Sequence, residues 1–248
     1  MLRLYLDPAH AAIPPVGHIL LLPVDEAEHA AVRRVRIAEA IELLDGRGTI
    51  ARAAVTAFTP PRAKHAAQLS VTIESARTLP PTRPHLEIRA ATPKGDRSAA
   101  MVDQLAQLGV ASWRPLLSAR TIVDPHAHKL ERLARVAVAA AKQSGRAHLM
   151  SIAAPVTLDA TLAEHRARTG ESPLLFAADA AGSPLSSITL RPDAPALTLL
   201  IGPEGGWTPE ESAALQGAGV PLVRLGPHTL RTETAAVAAA AILLRNAI

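Results

Sequence analysis

The chain has 248 residues, 48% of them hydrophobic and 19% charged, with no cysteine and a formal net charge of +4. That apolar content excludes a disordered tail, and the lack of cysteine excludes disulfides, thiolate metal sites and cysteine nucleophiles. The basic balance rests on 22 Arg against 4 Lys, and aromatic residues make up 2%, which allows a nucleic-acid partner but not one held by bases stacked on a sheet of exposed rings.

Residues 2–6 alternate apolar and polar as a half-buried strand does, and residues 18–22 form a second strand candidate before Pro23. Asp25 and Glu26 open a short helix that Arg33, Arg34 and Arg36 close, the charge order that a helix dipole prefers. Residues 41–44 and 49–58 flank Asp45-Gly46-Arg47-Gly48 and read as a hairpin; residues 69–73 alternate again. Four or five short strands around one helix predict a small β-barrel or curled sheet over residues 1–76. Residues 33–97 hold 12 Lys/Arg against 6 Asp/Glu, a surplus that favours an anionic partner.

The prolines of residues 80–84 mark a linker, and the rhythm then changes to that of an α/β domain over residues 77–248. Strands are expected at residues 86–90, 112–117, 148–152, 173–177, 197–201 and 220–225. Helices are expected at residues 98–108, 126–143 and 158–168, from Pro209, and from about residue 232 to the end. Alternation of this kind implies a mostly parallel sheet covered on both faces. The longest apolar run, residues 235–244, is too short to cross a membrane, and no basic-then-apolar leader opens the chain, so a cytoplasmic protein without a membrane partner is expected.

Two of these strands end in loops of unusual composition. The first runs into Gly202-Pro203-Glu204-Gly205-Gly206, and the second into Gly226-Pro227-His228-Thr229-Leu230-Arg231-Thr232-Glu233. Ligands collect outside the carboxyl ends of such strands, so the two loops are expected to form one site. Thr208-Pro209-Glu210-Glu211 is a capping box that starts a helix at Pro209 and leaves residues 202–207 as loop. Neither a phosphate loop nor a dinucleotide fingerprint occurs in the chain, and Glu204 sets a negative charge where a phosphate would sit. A neutral or cationic ligand suits this loop better. Arg231 at a helix start opposes the dipole unless an anion compensates it; it either pairs with Glu204 or Glu233, or waits for an anionic substrate. His126 and His128 lack a third ligand, so no metal is expected.

The glycine loop, the acidic pair Glu210-Glu211 and Leu225-Gly226 followed by Leu230-Arg231-Thr232-Glu233-Thr234-Ala235 resemble the signature of the RsmE-type 16S ribosomal RNA (uracil-N3)-methyltransferases, of the SPOUT superfamily. Weaker similarity covers His29 with Val32-Arg33-Arg34, Asp45-Gly46-Arg47-Gly48, Lys94-Gly95-Asp96, Leu108-Gly109-Val110 and Gln143-Ser144-Gly145-Arg146. The resemblance implies a PUA-like RNA-binding barrel, a SPOUT domain with a C-terminal trefoil knot, a homodimer, and methyl transfer from S-adenosyl-L-methionine to N3 of a uridine in ribosomal RNA of the small subunit or its precursor. It implies cofactor contacts from Ile201, Gly202, Pro203, Glu204, Gly205, Gly206, Leu225, Gly226, Leu230 and Thr232. Arg231 and Glu233 are the expected catalytic pair, stabilising the anion and accepting the proton. Arg33, Arg34, Lys94, Arg120 and Arg146 are the expected RNA contacts. Where the family carries Thr-Glu this chain has Ala106-Gln107, and Ala119 and Ala139 likewise stand in place of acids, so another RNA position, such as a ribose 2′-hydroxyl, and an RNA-binding relative without catalysis stay open as alternatives.

Overall fold

Alternating apolar side chains build the first sheet. In a computed structural model, which describes residues 1–6, 12–63, 65–167, 174–188 and 196–245, β1 (Leu2–Tyr5), β2 (Ile19–Leu21), helix α1 (Val24–Val32), β3 (Ala40–Leu44), β4 (Thr49–Thr59) and β5 (Gln68–Thr78) follow one another. The strands lie in the order β1-β3-β4-β5-β2. The expected hairpin is the antiparallel β3/β4 pair, with Asp45 Oδ1 accepting the backbone N–H groups of Arg47 and Thr49, each at 2.8 Å. Register shifts near Arg52 and Val55 curl the long β4/β5 pair, as bulges do. Leu4, Ile41, Leu43, Val55, Leu69, Val71 and Ile73 point inward against Ala27 and Ala30 of α1.

By its contacts the chain divides into two units, Met1–Pro81 with Ala141–Leu149, and Thr82–Ala140 with Met150–Ile248. Residues 141–149 join the first unit through specific bonds. Lys142 Nζ pairs with the buried carboxylate of Glu26, Arg3 Nη1 donates to the Gln143 carbonyl at 2.9 Å, and Leu149 N–H donates to the Gly46 carbonyl at 3.0 Å.

The second unit is the expected parallel sheet. In chain order it holds β6 (His85–Ala90), α2 (Arg97–Leu108), β7 (Ser112–Leu117), α3 (Ala127–Ser144, whose end from Ala141 belongs to the first unit), β8 (Ser151–Ile152), β9 (Val156–Thr157), α4 (Leu158–Ala167), β10 (Leu174–Pro184), β11 (Ala196–Ile201), α5 (Pro209–Gly217), β12 (Leu222–Arg224) and α6 (Thr232–Leu244). The strand order is β12-β10-β11-β6-β7-β8, with β9 also on β7, and every described pairing is parallel. Leu197, Leu199 and Ile201 of β11 face one core with Leu86, Ile88, Trp113 and the alanines of α6; Leu200 faces a second core with Leu116, Leu175, Trp207 and Leu215. Both faces of the sheet are therefore covered. Among the described residues, no helix is long and apolar enough to cross a membrane.

Two strands depart from the sequence pattern. The strand expected at residues 148–152 joins the parallel sheet at Ser151 and Ile152, with His148 in an isolated antiparallel bridge to Arg47, while β10 runs well past residue 177. Val223 of β12 is opposed by both Ala178 and Ser183, so residues 179–182 leave the ladder as a bulge. Asp179 Oδ1 stabilises that excursion by accepting the Ala181 N–H at 2.8 Å.

Candidate functional site

β10, β11 and β12 are neighbours, and their carboxyl ends open on one side of the sheet. A cavity of about 330 Å³ lies there. From β11 and its loop come Ile201, Gly202, Pro203, Glu204, Gly206 and Trp207; from β12 and its loop, Val223, Arg224, Leu225 and the run Gly226 to Leu230; from α6, Thr232 and Ala235. The third wall is the bulge of β10, Ala178, Asp179 and Ala180, which no local sequence signal marked.

The two loops are tied to each other. Thr232, 2% exposed, donates its hydroxyl to the Gly202 carbonyl at 3.2 Å, so the start of α6 is fixed to the end of β11. Trp207 closes the first loop: its indole N–H donates to the Ala178 carbonyl at 3.0 Å while its ring packs over Gly202. Gly206 takes a φ of +67°, which lets the backbone turn back toward Trp207. The capping box is formed as expected. The Glu211 N–H donates to Thr208 Oγ1 at 3.2 Å, and the Thr208 N–H donates to Glu211 Oε2 at 2.9 Å. Hydrogen bonds from its own backbone N–H and from Thr208, with a smaller pull from Arg120, hold the Glu210 carboxyl below the usual carboxylate range.

Of the ten residues expected at the cofactor, nine line the cavity and Gly205 does not. The Gly205 carbonyl instead accepts from Arg120 Nη1, which also reaches the Trp207 carbonyl at 3.3 Å. Arg120, expected as an RNA contact, thus braces the glycine loop. Arg146, another expected RNA contact, is half-buried in the first unit near Tyr5. Burial lowers its guanidinium pKa to about 10, opposed in part by Tyr5. Arg33, Arg34 and Lys94 are exposed.

Arg231 is exposed at the N-cap of α6, between two cavity residues, and its carbonyl accepts the Ala235 N–H at 2.8 Å. Among the described residues, neither Glu204 nor Glu233 pairs with it. Both carboxylates face Arg97 at the start of α2, with Nη1 3.4 Å from Glu233 Oε1 and 3.9 Å from Glu204 Oε1. Glu233 does not line the cavity, and its Oε2 is buried without a hydrogen bond among the described residues. Of the positions where the family carries acids, Gln107 bonds Asp103 at 2.8 Å and Ala139 is exposed, while the neighbouring Ala106 is buried in the core. At Ala119 an acid arrives from elsewhere: Glu211 Oε1 accepts the Ala119 N–H at 2.7 Å.

A second charged cluster lies on the α4 side of the sheet. Arg89 of β6, 4% exposed, pairs with Glu87 at 3.2 Å and with Glu164 of α4 at 2.8 Å, and donates to Thr161 at 3.0 Å. This arginine counts toward the basic surplus of the sequence but is spent inside the fold.

Residues 80–244 match the RNA methyltransferase domain family and residues 22–64 the RNA methyltransferase PUA domain family. Ribosomal RNA small subunit methyltransferase E of Synechocystis sp. is 32% identical over 212 residues, covering 85% of this chain and 67% of that protein. The protein of the same name from Mycobacterium tuberculosis is 29% identical over 232 residues, 92% of this chain and 86% of its own length. The crystal structure of ribosomal RNA small subunit methyltransferase E from Neisseria gonorrhoeae bound to S-adenosyl methionine superposes with a TM-score of 0.83 at 29% identity, covering 97% of this chain and 95% of that one.

Proposed function

We propose, since the chain belongs to the RNA methyltransferase family that includes ribosomal RNA small subunit methyltransferase E, that it methylates N3 of a uridine in 16S ribosomal RNA with S-adenosyl-L-methionine as methyl donor. The observation that carries this reading is the Thr232 to Gly202 hydrogen bond, which joins the acidic glycine loop and the arginine-bearing helix start at one cavity. The residues present fit the donor. Glu204 and Asp179 put two carboxylates in the cavity wall, which suits a sulfonium and an ammonium and repels a phosphate. Ile201, Leu225 and Leu230 supply apolar surface for a flat base. When bound, S-adenosyl-L-methionine supplies an electrophilic methyl group on a sulfonium cation.

Uracil N3 carries a proton and is a poor nucleophile until that proton leaves, so the protein has to stabilise the imide anion. We assign this task to Arg231, the exposed N-cap residue of α6, where the first N–H groups of the helix have no partner within it. The proton passes to solvent, which reaches the exposed Arg231. Glu233 was expected to take it, but its free oxygen is shut off from solvent and its other oxygen faces Arg97. We therefore assign Glu233 to anchoring the helix start.

RNA is held by exposed cations, among which Arg34 stands out. The Val35 N–H donates to the Ala30 carbonyl and the Arg34 N–H to the Ala31 carbonyl, a Schellman turn in which Arg34, at φ +56°, occupies the left-handed position that glycine usually takes. A left-handed arginine costs about 1–2 kcal/mol. Arg34→Gly is therefore expected to raise the unfolding free energy by about 1 kcal/mol while weakening RNA binding. The slope of log affinity against log salt should flatten by about 0.7 for one lost phosphate contact. Unchanged affinity and slope in filter binding would remove Arg34 from the RNA surface.

The reading as a whole is tested by nucleoside mass spectrometry of 16S RNA from cells with and without the gene. Loss of 3-methyluridine in the deletion is expected. Its persistence, with a 2′-O-methyl nucleoside lost instead, would move the reaction to the ribose.

A further inference from the structure

Arg97 is one guanidinium serving two carboxylates that arrive on different elements, Glu233 in the first turn of α6 at 3.4 Å and Glu204 in the loop after β11 at 3.9 Å. Glu204 also lines the cavity, where Asp179, Arg224 and His228 are the other charged or titratable groups in the wall. Like charges this close repel each other, and a guanidinium facing both carboxylates offsets that repulsion. The same cation offsets part of the negative field that Glu204 casts into the cavity.

We infer that Arg97 sets how strongly this cavity prefers a cationic ligand to its neutral counterpart, by dividing its charge between Glu204 and Glu233. The inference rests on the reading that the cavity takes S-adenosyl-L-methionine. Methyl transfer breaks the bond from sulfur to the methyl carbon, and the electron pair of that bond stays on sulfur. The donor cation thereby becomes the neutral thioether S-adenosylhomocysteine. Donor and product then differ at the reacting centre by one methyl group and one charge, so the field of Glu204 separates them and Arg97 moderates the separation. The three side chains are partly exposed, at 38% for Arg97, 41% for Glu204 and 16% for Glu233, so the effect is screened and graded.

The test is calorimetry of the full chain at low ionic strength with S-adenosylmethionine and S-adenosylhomocysteine, read as the ratio of the product Kd to the donor Kd. Arg97→Gln is expected to raise that ratio about 3- to 10-fold, the size of one screened charge several ångströms away. Arg97→Lys should hold it within about twofold, because the charge is kept. Glu204→Gln should lower it. Equal weakening of both ligands by Arg97→Gln, with the ratio unmoved, would mean that Arg97 only supports the structure, and the inference fails. Where Arg97→Gln does not fold, Glu204→Gln decides: an unchanged ratio leaves no field for Arg97 to offset and overturns the inference. Failure of the folded wild-type chain to bind S-adenosylmethionine would instead overturn the parent reading.

Discussion

Arg231→Ala is expected to lower kcat by about 10²- to 10³-fold, the usual cost of removing one preorganised group that stabilises a developing anion, with the Kd for S-adenosylmethionine within about threefold of wild type. The expectation comes from how charges are shared around the cavity. A cation at a helix N-terminus opposes the dipole, and an adjacent carboxylate would ordinarily compensate it. Here both candidate carboxylates, Glu204 and Glu233, face Arg97, and Arg231 stays exposed beside the cavity among the described residues. The proposed function assigns that charge to a substrate anion. A uracil deprotonated at N3 spreads its charge onto O2 and O4, two acceptors that a planar guanidinium fork can meet together. Arg231→Lys should therefore recover only part of the rate, since an ammonium is a point charge without the fork. Single-turnover methylation of 16S RNA, with cofactor binding measured on the same samples, checks this. A variant that binds cofactor and methylates at the wild-type rate would end the role given to Arg231.

The cavity was legible in the sequence where chemistry is local. Gly202 and Gly226 each follow an apolar strand, and Thr208 with Glu211 marks a helix start, signals that lie within ten residues of what they position. The partner of the two acids was not legible in the same way. Arg97 stands more than 100 positions before Glu204, and only the packing of α2 beside α6 brings it there. Leu86-Glu87-Ile88-Arg89 shows the same limit. Its alternation correctly announces a strand with one apolar face, but alternation says nothing of what covers the other face, where Glu164 of α4 completes an ion-pair cluster around the buried Arg89. Residues 141–149 return to the first unit through Arg3, Glu26 and Gly46, contacts that no pattern within the helix encodes. The small residues Ala178 to Ser183 have neither period nor bulk, so the third wall of the cavity left no hydrophobic trace.

That wall bears the other large expected effect. Gly182 closes the β10 bulge, and a Cβ there would lie 2.5 Å from the Leu222 carbonyl carbon and the Val223 nitrogen, and 2.6 Å from the Leu222 oxygen. These are backbone atoms of β12, which cannot swing aside as a flexible side-chain end can. Gly182→Ala must therefore push β12 away from β10, and β12 carries Leu225 through Leu230 into the cavity. Overpacking of this kind costs about 1–3 kcal/mol. Because the displaced strand carries a wall of the site, much of that cost should appear in binding as well as in folding. At about 1.4 kcal/mol per tenfold, a loss near 2 kcal/mol is roughly a 30-fold rise in the Kd for S-adenosylmethionine. Calorimetry and thermal unfolding of the same variant separate the two contributions. Gly217→Ala is the control: a Cβ there meets nothing within 4 Å, and alanine favours the helix it sits in, so stability and affinity should hold or rise slightly. Binding by Gly182→Ala within twofold of wild type would show that β12 relaxes without moving its loop, and that the bulge does not control the cavity.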